Sequence, residues 1–188
     1  AVVGAVVAHP AQALLLERCA FGRGALVGLG RGAVRLAETA AANTKNRSHT
    51  IEADITLPEK GGEGVLVAIG GSSGGYSLYV QDGKLVYHFN WFDETRTVIT
   101  SNEPVPAGKS TVRFDFAYDG GELGSGGTGT LFINDKKVGE SRIEKTVPGR
   151  FGIDTFGVGM DTGSPVSNTY KPPFAFTGAI HEARIDLK

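Results

Sequence analysis

The chain has one cysteine, one methionine and one tryptophan among its 188 residues. A lone cysteine excludes an internal disulfide and a cysteine-based zinc site, and so leaves the redox compartment open. No apolar run is long enough to cross a membrane as a helix. Ala1 to Ala8 is apolar, but it has neither an initiating methionine nor a positively charged stretch, so it does not read as a signal peptide; the chain reads as a piece of something longer. Excess positive charge is missing too. With 19 basic and 20 acidic residues the net charge is −1, which offers no footprint for nucleic acid and no polybasic patch for anionic lipid. Nowhere do His, Asp and Glu fall at metal-ligand spacing. Glycine, by contrast, is plentiful at 28 residues, mostly where turns are wanted. Hydrophobic residues make up 40% and charged residues 21%, ordinary for a globular protein, and the length suits one domain with a full core.

The organising stretch is Gly74 to Thr100. It reads as one strand, a tight turn at Asp82-Gly83 and a second long strand, because Asp-Gly between two alternating apolar runs is the strongest short-range hairpin signal. Beyond the turn, Leu85, Tyr87, Phe89 and Trp91 fall on one face and Val86, His88, Asn90 and Phe92 on the other. The first set requires a cover, which the rest of the chain supplies. Ile51, Ala53, Ile55 and Leu57 alternate with polar residues, as do Val112, Phe114, Phe116 and Tyr118. Val65 to Ile69 reads as a short central strand. Asn102 to Lys109, with two prolines and a glycine, reads as unpaired. Asp119 to Gly129 holds six glycines and reads as a long turn; it lacks the Gly-Lys-Ser/Thr ending of a phosphate loop. A second hairpin is placed around Asp135-Lys136, a long polar loop over Asp161 to Pro173, and a last strand over Phe176 to Leu187 with a bulge near Glu182.

Residues 1–33 differ in texture. Ala11 to Cys19 suits two turns of helix, but the glycines that follow each weaken a helix by roughly 1 kcal/mol relative to alanine, so the segment reads as a linker or poorly packed chain. Residues 34–188 read as an all-β antiparallel sandwich of seven or more strands. The row away from the core places Glu52, Asp54, His88, Asn90, Arg113 and Asp115 toward solvent. From that row His88, Asn90, Arg113 and Asp115, together with Tyr170 near a loop, are the candidates to face a ligand. No catalytic residue and no metal ligand is assigned. Asp93-Glu94, Asp119 with Glu122, and Asp161 are the carboxylates a rim calcium would use, although turn aspartates that bond their own backbone account for them equally.

The order of elements is similar to the concanavalin A-like, laminin G-like jelly roll. The carriers are Gly75-Tyr-Ser-Leu-Tyr-Val-Gln-Asp-Gly-Lys-Leu85, Leu131-Phe-Ile-Asn-Asp135 and Phe176-Thr-Gly-Ala-Ile180. Four further segments, Asn43-Thr-Lys-Asn-Arg-Ser-His-Thr50, Glu103-Pro-Val-Pro-Ala-Gly108, Phe116-Ala-Tyr-Asp-Gly-Gly121 and Asp161-Thr-Gly-Ser-Pro-Val166, resemble the C-terminal domain of large bacterial arylsulfatases. That resemblance covers about residues 33–188. It implies a β-sandwich accessory domain that packs on a sulfatase catalytic domain, its partner in the parent chain, and shapes the substrate entrance. It also implies that calcium belongs to that catalytic domain, outside this chain. Sulfatases carry a formylglycine in a Cys/Ser-x-Pro/Ala-x-Arg motif. Cys19-Ala-Phe-Gly-Arg23 has the Cys–Arg spacing but puts Phe21 at the Pro/Ala position, with no metal carboxylates around it. The chain is therefore expected to be inactive alone. The alternative is a free-standing carbohydrate-binding module of the laminin G-like or lectin type, with a carbohydrate or sulfated ligand. A third reading, a glycoside hydrolase, needs two carboxylates roughly 5 to 9.5 Å apart, for which Glu52 or Asp54 with Asp115 is the one pair on a shared face.

Overall fold

The computed structural model describes residues 36–152 and 155–188. The linker expected over 1–33, its helix-prone stretch and Cys19 lie outside the described residues. The described chain begins with a short 3-10 turn, Glu38–Ala40, and continues through β1 (His49–Leu57), β2 (Gly64–Gly71), β3 (Gly74–Gln81), β4 (Lys84–Trp91), β5 (Thr95–Pro104), β6 (Gly108–Tyr118), β7 (Ser125–Ile133), β8 (Lys136–Lys145), β9 (Phe156–Val158), β10 (Met160–Asp161), β11 (Phe174–Ala175) and β12 (Ala179–Leu187). Two sheets form a sandwich. The five-stranded sheet runs β12-β1-β6-β7-β8, and the seven-stranded sheet runs β10-β11-β2-β3-β4-β5 with β9 also paired to β2. Pairing is antiparallel except for the short β11–β2 contact.

Alternation places the core as the sequence indicates. Ile51, Ala53 and Ile55 from β1, Val112, Phe114 and Phe116 from β6, and Leu85, Tyr87 and Phe89 from β4 are all buried in one cluster between the sheets. At its centre the Tyr87 ring of one sheet lies flat on the Phe114 ring of the other, 3.5 Å apart between centroids and 7° from parallel. Burial pushes the Tyr87 phenol well above its usual pKa. Trp91, at the end of the row, is partly buried against the same cluster and has the Lys145 ammonium over its ring at 5.1 Å.

Three local expectations are corrected. The second hairpin turns at Asn134-Asp135 and not at Asp135-Lys136, since Ile133 pairs with Lys136; both turn residues have positive φ, and Asn and Asp tolerate that region better than Lys. The glycine stretch is strand from Ser125 onward. A Cβ on Gly127 would sit 2.5 Å from the Phe116 ring, and one on Gly129 2.8 Å from the Phe114 ring, so the core rings of β6 occupy the space that side chains of β7 would need. Asn102 to Lys109 is strand at both ends: Asn102 to Pro104 closes β5, and Gly108 and Lys109 open β6, paired with Leu57 and Thr56. Proline is tolerated at the end of β5 because it is the last strand of its sheet. The expected bulge in the last strand is present: Asp54 pairs with Glu182 and Ile55 with Ile180, which leaves His181 unmatched.

Phe114 is fully buried and carries the cross-sheet stack. Phe114→Ala is expected to destabilise the protein by about 3–5 kcal/mol, measured by urea unfolding. A loss below about 1 kcal/mol would contradict this packing.

Candidate functional site

The outer face of the seven-stranded sheet is not open. β2, β3 and β4 are buried along nearly every residue, on both faces, because the loop between β10 and β11 folds back over them. Val65, Ala68, Tyr79 and Val86 of the sheet pack with Tyr170 of the loop in a second small apolar cluster. Polar residues fasten its edges. Tyr170 donates its hydroxyl to Asp161 Oδ2 at 2.7 Å and lies 3.2 Å from Ser77 Oγ. Burial, and then the Asp161 charge, hold the Tyr170 phenol far above its ordinary pKa. Gln81 and the Tyr79 hydroxyl both bond Thr169.

This covering corrects the expectation for three of the candidate residues. His88 and Asn90 are fully buried and Tyr170 is 7% exposed; none of them faces solvent. The alternation assigned their face correctly but could not show that a loop some 70–90 positions away would cover it. His88 sits beneath the loop beside Arg96, with Arg96 Nη1 3.5 Å from His88 Nε2 and His88 Nδ1 unpartnered. Burial, then the neighbouring guanidinium, lower its pKa to about 4. Arg96 is held by Val166 O, to which Nη1 donates at 2.7 Å, and by Asp93, to which Nη2 donates.

Asn90 organises one end of this face. Its amide nitrogen donates to Gly71 O (3.0 Å) and Ser72 O (2.9 Å), and its amide oxygen accepts from Asp93 N (2.9 Å). One buried side chain thus fixes the β2–β3 connection and the β4–β5 turn together. Ser72 then reaches the covering loop through Ser164 Oγ, by its backbone N–H (2.9 Å) and its hydroxyl (3.1 Å). The result is a rim of three connected loops.

The β4–β5 turn on this rim is unusual. Among the described residues, three hairpin turns have positive φ at both central positions: Asp82-Gly83 and Asn134-Asp135, each a two-residue loop, and Phe92-Asp93, which with Glu94 makes a three-residue loop. Two use residues that suit the left-handed region. The third puts Phe92 there at φ 52°, closed by a Glu94 N–H donating to Trp91 O at 3.0 Å. A bulky residue in that region costs about 1–2 kcal/mol, and Phe92 is also 42% exposed. Its ring meets the Trp91 ring edge-on, 5.2 Å between centroids, but turn geometry would not select an aromatic at this position. Beside it lie the Asp93 carboxylate, 67% exposed, the partly exposed Arg96 guanidinium and the exposed Ser72 and Ser73. The second long strand expected up to Thr100 is in fact β4 and β5, folded back on each other at this turn, and the sequence reading therefore missed Phe92 and Arg96. The signal available was Phe-Asp at a position where the flanking strand pairing demands a turn.

The remaining candidates lie on the other sheet, on the opposite side of the sandwich. Arg113 and Asp115 are half-buried on the outer face of the five-stranded sheet, with Glu52 and Asp54. Arg113 sits over the Phe132 ring at 4.3 Å and pairs with Asp135 and Glu52. Its Nε is 3.3 Å from Asp115 Oδ1, without hydrogen-bond alignment. Arg184 pairs with Glu52, Asp54 and Glu182, and Thr50 and Thr111 donate to Asp115 and Asp54. The carboxylates proposed for a hydrolase pair are thus mutually neutralised by arginines. Three of the five carboxylates weighed for calcium have partners: Asp93 with Arg96, Asp119 with Arg142, and Asp161 with Tyr170 and Val166 N. Among the described residues no group of three or more His, Cys, Asp or Glu is arranged to hold a metal ion.

Two predictions follow from this geometry. Asn90→Ala removes the partner of Gly71 O, which is buried, and of Ser72 O and Asp93 N, which are half-buried, and is expected to cost about 1–3 kcal/mol, with faster hydrogen exchange at the Asp93 amide; unchanged exchange there would contradict the assigned role. The second concerns acid. His49, which is buried, also has its pKa lowered to about 4, chiefly by desolvation. An unfolded chain binds protons at these histidines below about pH 6.5, whereas the folded chain does so only near pH 4. Stability therefore falls with decreasing pH through that window, by up to about 1.4 kcal/mol per pH unit for each histidine. His88→Gln is expected to halve the slope between pH 6.5 and 5, measured by denaturant titration; an unaltered slope would contradict the buried neutral histidine.

No family model matches the chain, and no curated protein matches it by sequence. Solved structures do share its fold. It is similar to the CBM40 domain of the Ruminococcus gnavus IT-sialidase, at 17% identity and a TM-score of 0.52, over 87% of this chain and 89% of that one. It is also similar to domains LG4-5 of the mouse laminin alpha1 chain, at 17% identity and a TM-score of 0.51, over 84% of this chain and 40% of that one. A third is the leech intramolecular trans-sialidase complexed with 2,7-anhydro-Neu5Ac, at 14% identity and a TM-score of 0.50, over 85% of this chain and 25% of that one. The likeness concerns the fold, and none of these three is a sulfatase: the chain is an all-β sandwich of the jelly-roll, laminin G-like kind.

Proposed function

We propose that this sandwich is a non-catalytic binding module whose ligand is a carbohydrate, taken at the rim around Phe92. The observation that carries the reading is an exposed aromatic kept at a positive-φ turn position, on a backbone that Asn90 holds rigid. A sugar ring has an apolar C–H face and an edge of hydroxyls. An aromatic ring takes the first by apolar contact. A carboxylate, a guanidinium and serine hydroxyls take the second by hydrogen bonds; here those groups are Asp93, Arg96, Ser72 and Ser73. Recognition needs no rearrangement of the loops, because the buried amide has already ordered them. The shared fold with a carbohydrate-binding module, CBM40, supports the reading without assigning a sugar.

The arylsulfatase-accessory reading rests on four sequence segments, and the comparisons lend it no support. The two readings part on the isolated chain: a module binds sugar by itself, whereas a domain that only packs on a catalytic partner does not. A shallow rim suits weak binding, with Kd on the order of 0.1–1 mM.

Two measurements test this. The isolated chain, screened on a glycan array that includes sulfated and acidic sugars and followed by calorimetry, is expected to show saturable binding. Phe92→Asn, which replaces the ring with a residue suited to the turn, is expected to lower affinity by about ten-fold or more, roughly 1.4 kcal/mol, while raising stability by about 0.5–1 kcal/mol. Absence of binding to any sugar, or full binding by Phe92→Asn, would overturn the proposal.

A further inference from the structure

One cation ties a corner of the loop between β10 and β11 to the sheet beneath it. Arg96 Nη1 donates to Val166 O of the loop at 2.7 Å, and the same nitrogen lies 3.5 Å from His88 Nε2 of the sheet. Arg96 Nη2 donates to Asp93 of the β4–β5 turn. His88 and Val166 are fully buried. The Arg96 side chain keeps some exposure, and its partner Asp93 is largely exposed. A single guanidinium therefore joins sheet, loop and turn, and its counter-charge stands on the solvent side.

These bonds fix the state of the His88 ring. A guanidinium nitrogen can only donate, so Nε2 accepts and the proton of the neutral ring sits on Nδ1. Nδ1 is buried and has no partner. A second proton must go to Nε2, where it would face the Arg96 N–H: two donors, each on a cation. The elements packed around the ring do little to offset this. Across the strands His88 pairs with Ser77 of β3 and Val98 of β5, neither of them charged. From the loop, the Asp161 carboxylate is engaged by the Tyr170 hydroxyl and the Val166 N–H, and Tyr170 in turn lies against Ser77. Asp93 stands on the far side of the guanidinium. Burial first, and then Arg96, keep the ring neutral down to about pH 4.

We propose that His88, Arg96 and Val166 form a proton-operated latch, in which the neutral imidazole keeps the loop closed on the sheet and the imidazolium releases it. On protonation the guanidinium follows Asp93 toward solvent and gives up Val166 O. The corner of the loop at Val166 lifts, and water reaches both N–H groups of His88, which the closed layer leaves without acceptors. The hydroxyl bonds of Ser72 with Ser164 and of Tyr79 with Thr169 do not titrate in this range and serve as the hinge. In the closed state the ring's pKa is lowered from 6.5 to about 4, and water restores it when the loop opens. The advantage of the closed loop is therefore complete above about pH 6.5 and is lost as the pH falls toward 4, where the ratio of open to closed loops has risen by up to about 300-fold. Arg96 also belongs to the Phe92 rim, so acid loosens a sugar held there; that consequence alone rests on the carbohydrate reading.

The test is an NMR titration of the full chain from pH 7 to pH 4 with no sugar present. The His88 ring nitrogens and the Val166 amide are expected to shift with one shared midpoint, between about pH 4 and 6.5. His49 also titrates near pH 4, and its own ring signals separate it. In His88→Gln the side-chain oxygen accepts from Arg96 at every pH, and the Val166 transition is expected to vanish. A transition belonging to the Asp161 carboxylate would survive that substitution. A Val166 amide that stays in place while His88 titrates, a Val166 transition that persists in His88→Gln, or unfolding of the whole chain before His88 titrates would overturn the latch. Should His88→Gln fail to fold, the shared midpoint in the natural chain decides alone. No sugar enters these readouts, so the latch and the carbohydrate reading can fail separately.

Discussion

A polar group hidden from water must be given a partner, at a cost of about 1–3 kcal/mol if it is not. That constraint shapes the seven-stranded sheet of this protein. Its central strands are buried on both faces, yet the outer face carries Ser77, His88 and Asn90. The loop between β10 and β11 can lie there because it brings matching groups: the Tyr170 hydroxyl with Asp161 for Ser77, the Val166 carbonyl for Arg96 above His88, and Thr169 for Gln81 and Tyr79. Asn90 then ties the neighbouring turns to the same assembly. The rim is ordered by these bonds, although His88 Nδ1 in the layer beneath keeps no partner.

The layered fold was readable from alternation. Ile51 to Leu57, Val112 to Phe116 and Leu85 to Phe89 each point one row inward, and a period of two fixes that row once a core exists. Asp82-Gly83 fixed the first hairpin by its own backbone preferences. The candidate site was less readable, for two reasons. Alternation says which side chains share a face but not what covers it, and the groups that bury His88 and Asn90 belong to residues 161–170, whose pattern is that of an ordinary polar loop. The Phe92-Asp93 turn was hidden because its residues are not turn formers; only the pairing of Trp91 with Thr95 reveals it. The placing of the second hairpin failed by one residue for a related reason, since two adjacent turn-prone residues, Asn134 and Asp135, compete with Lys136 until the strand register is known.

Both departures from local preference fall at one end of the sandwich. Phe92 takes an unfavourable φ and remains exposed; His49 and Tyr76 keep polar atoms unpartnered in an aromatic cavity. On the opposite sheet the charges are paired into a belt around Arg113 and Arg184, although Ser110 Oγ and Arg113 Nε also lack hydrogen-bond partners there. A strained and exposed aromatic beside a cluster of local violations is where binding is to be sought.

The most direct measurement is amide chemical-shift mapping of the isolated chain with a bound sugar. The account predicts that perturbations cluster on residues 71–73, 91–96 and 164–167, with the Phe92 ring protons shifted most. Perturbations confined to the Arg113 and Asp115 face would contradict it.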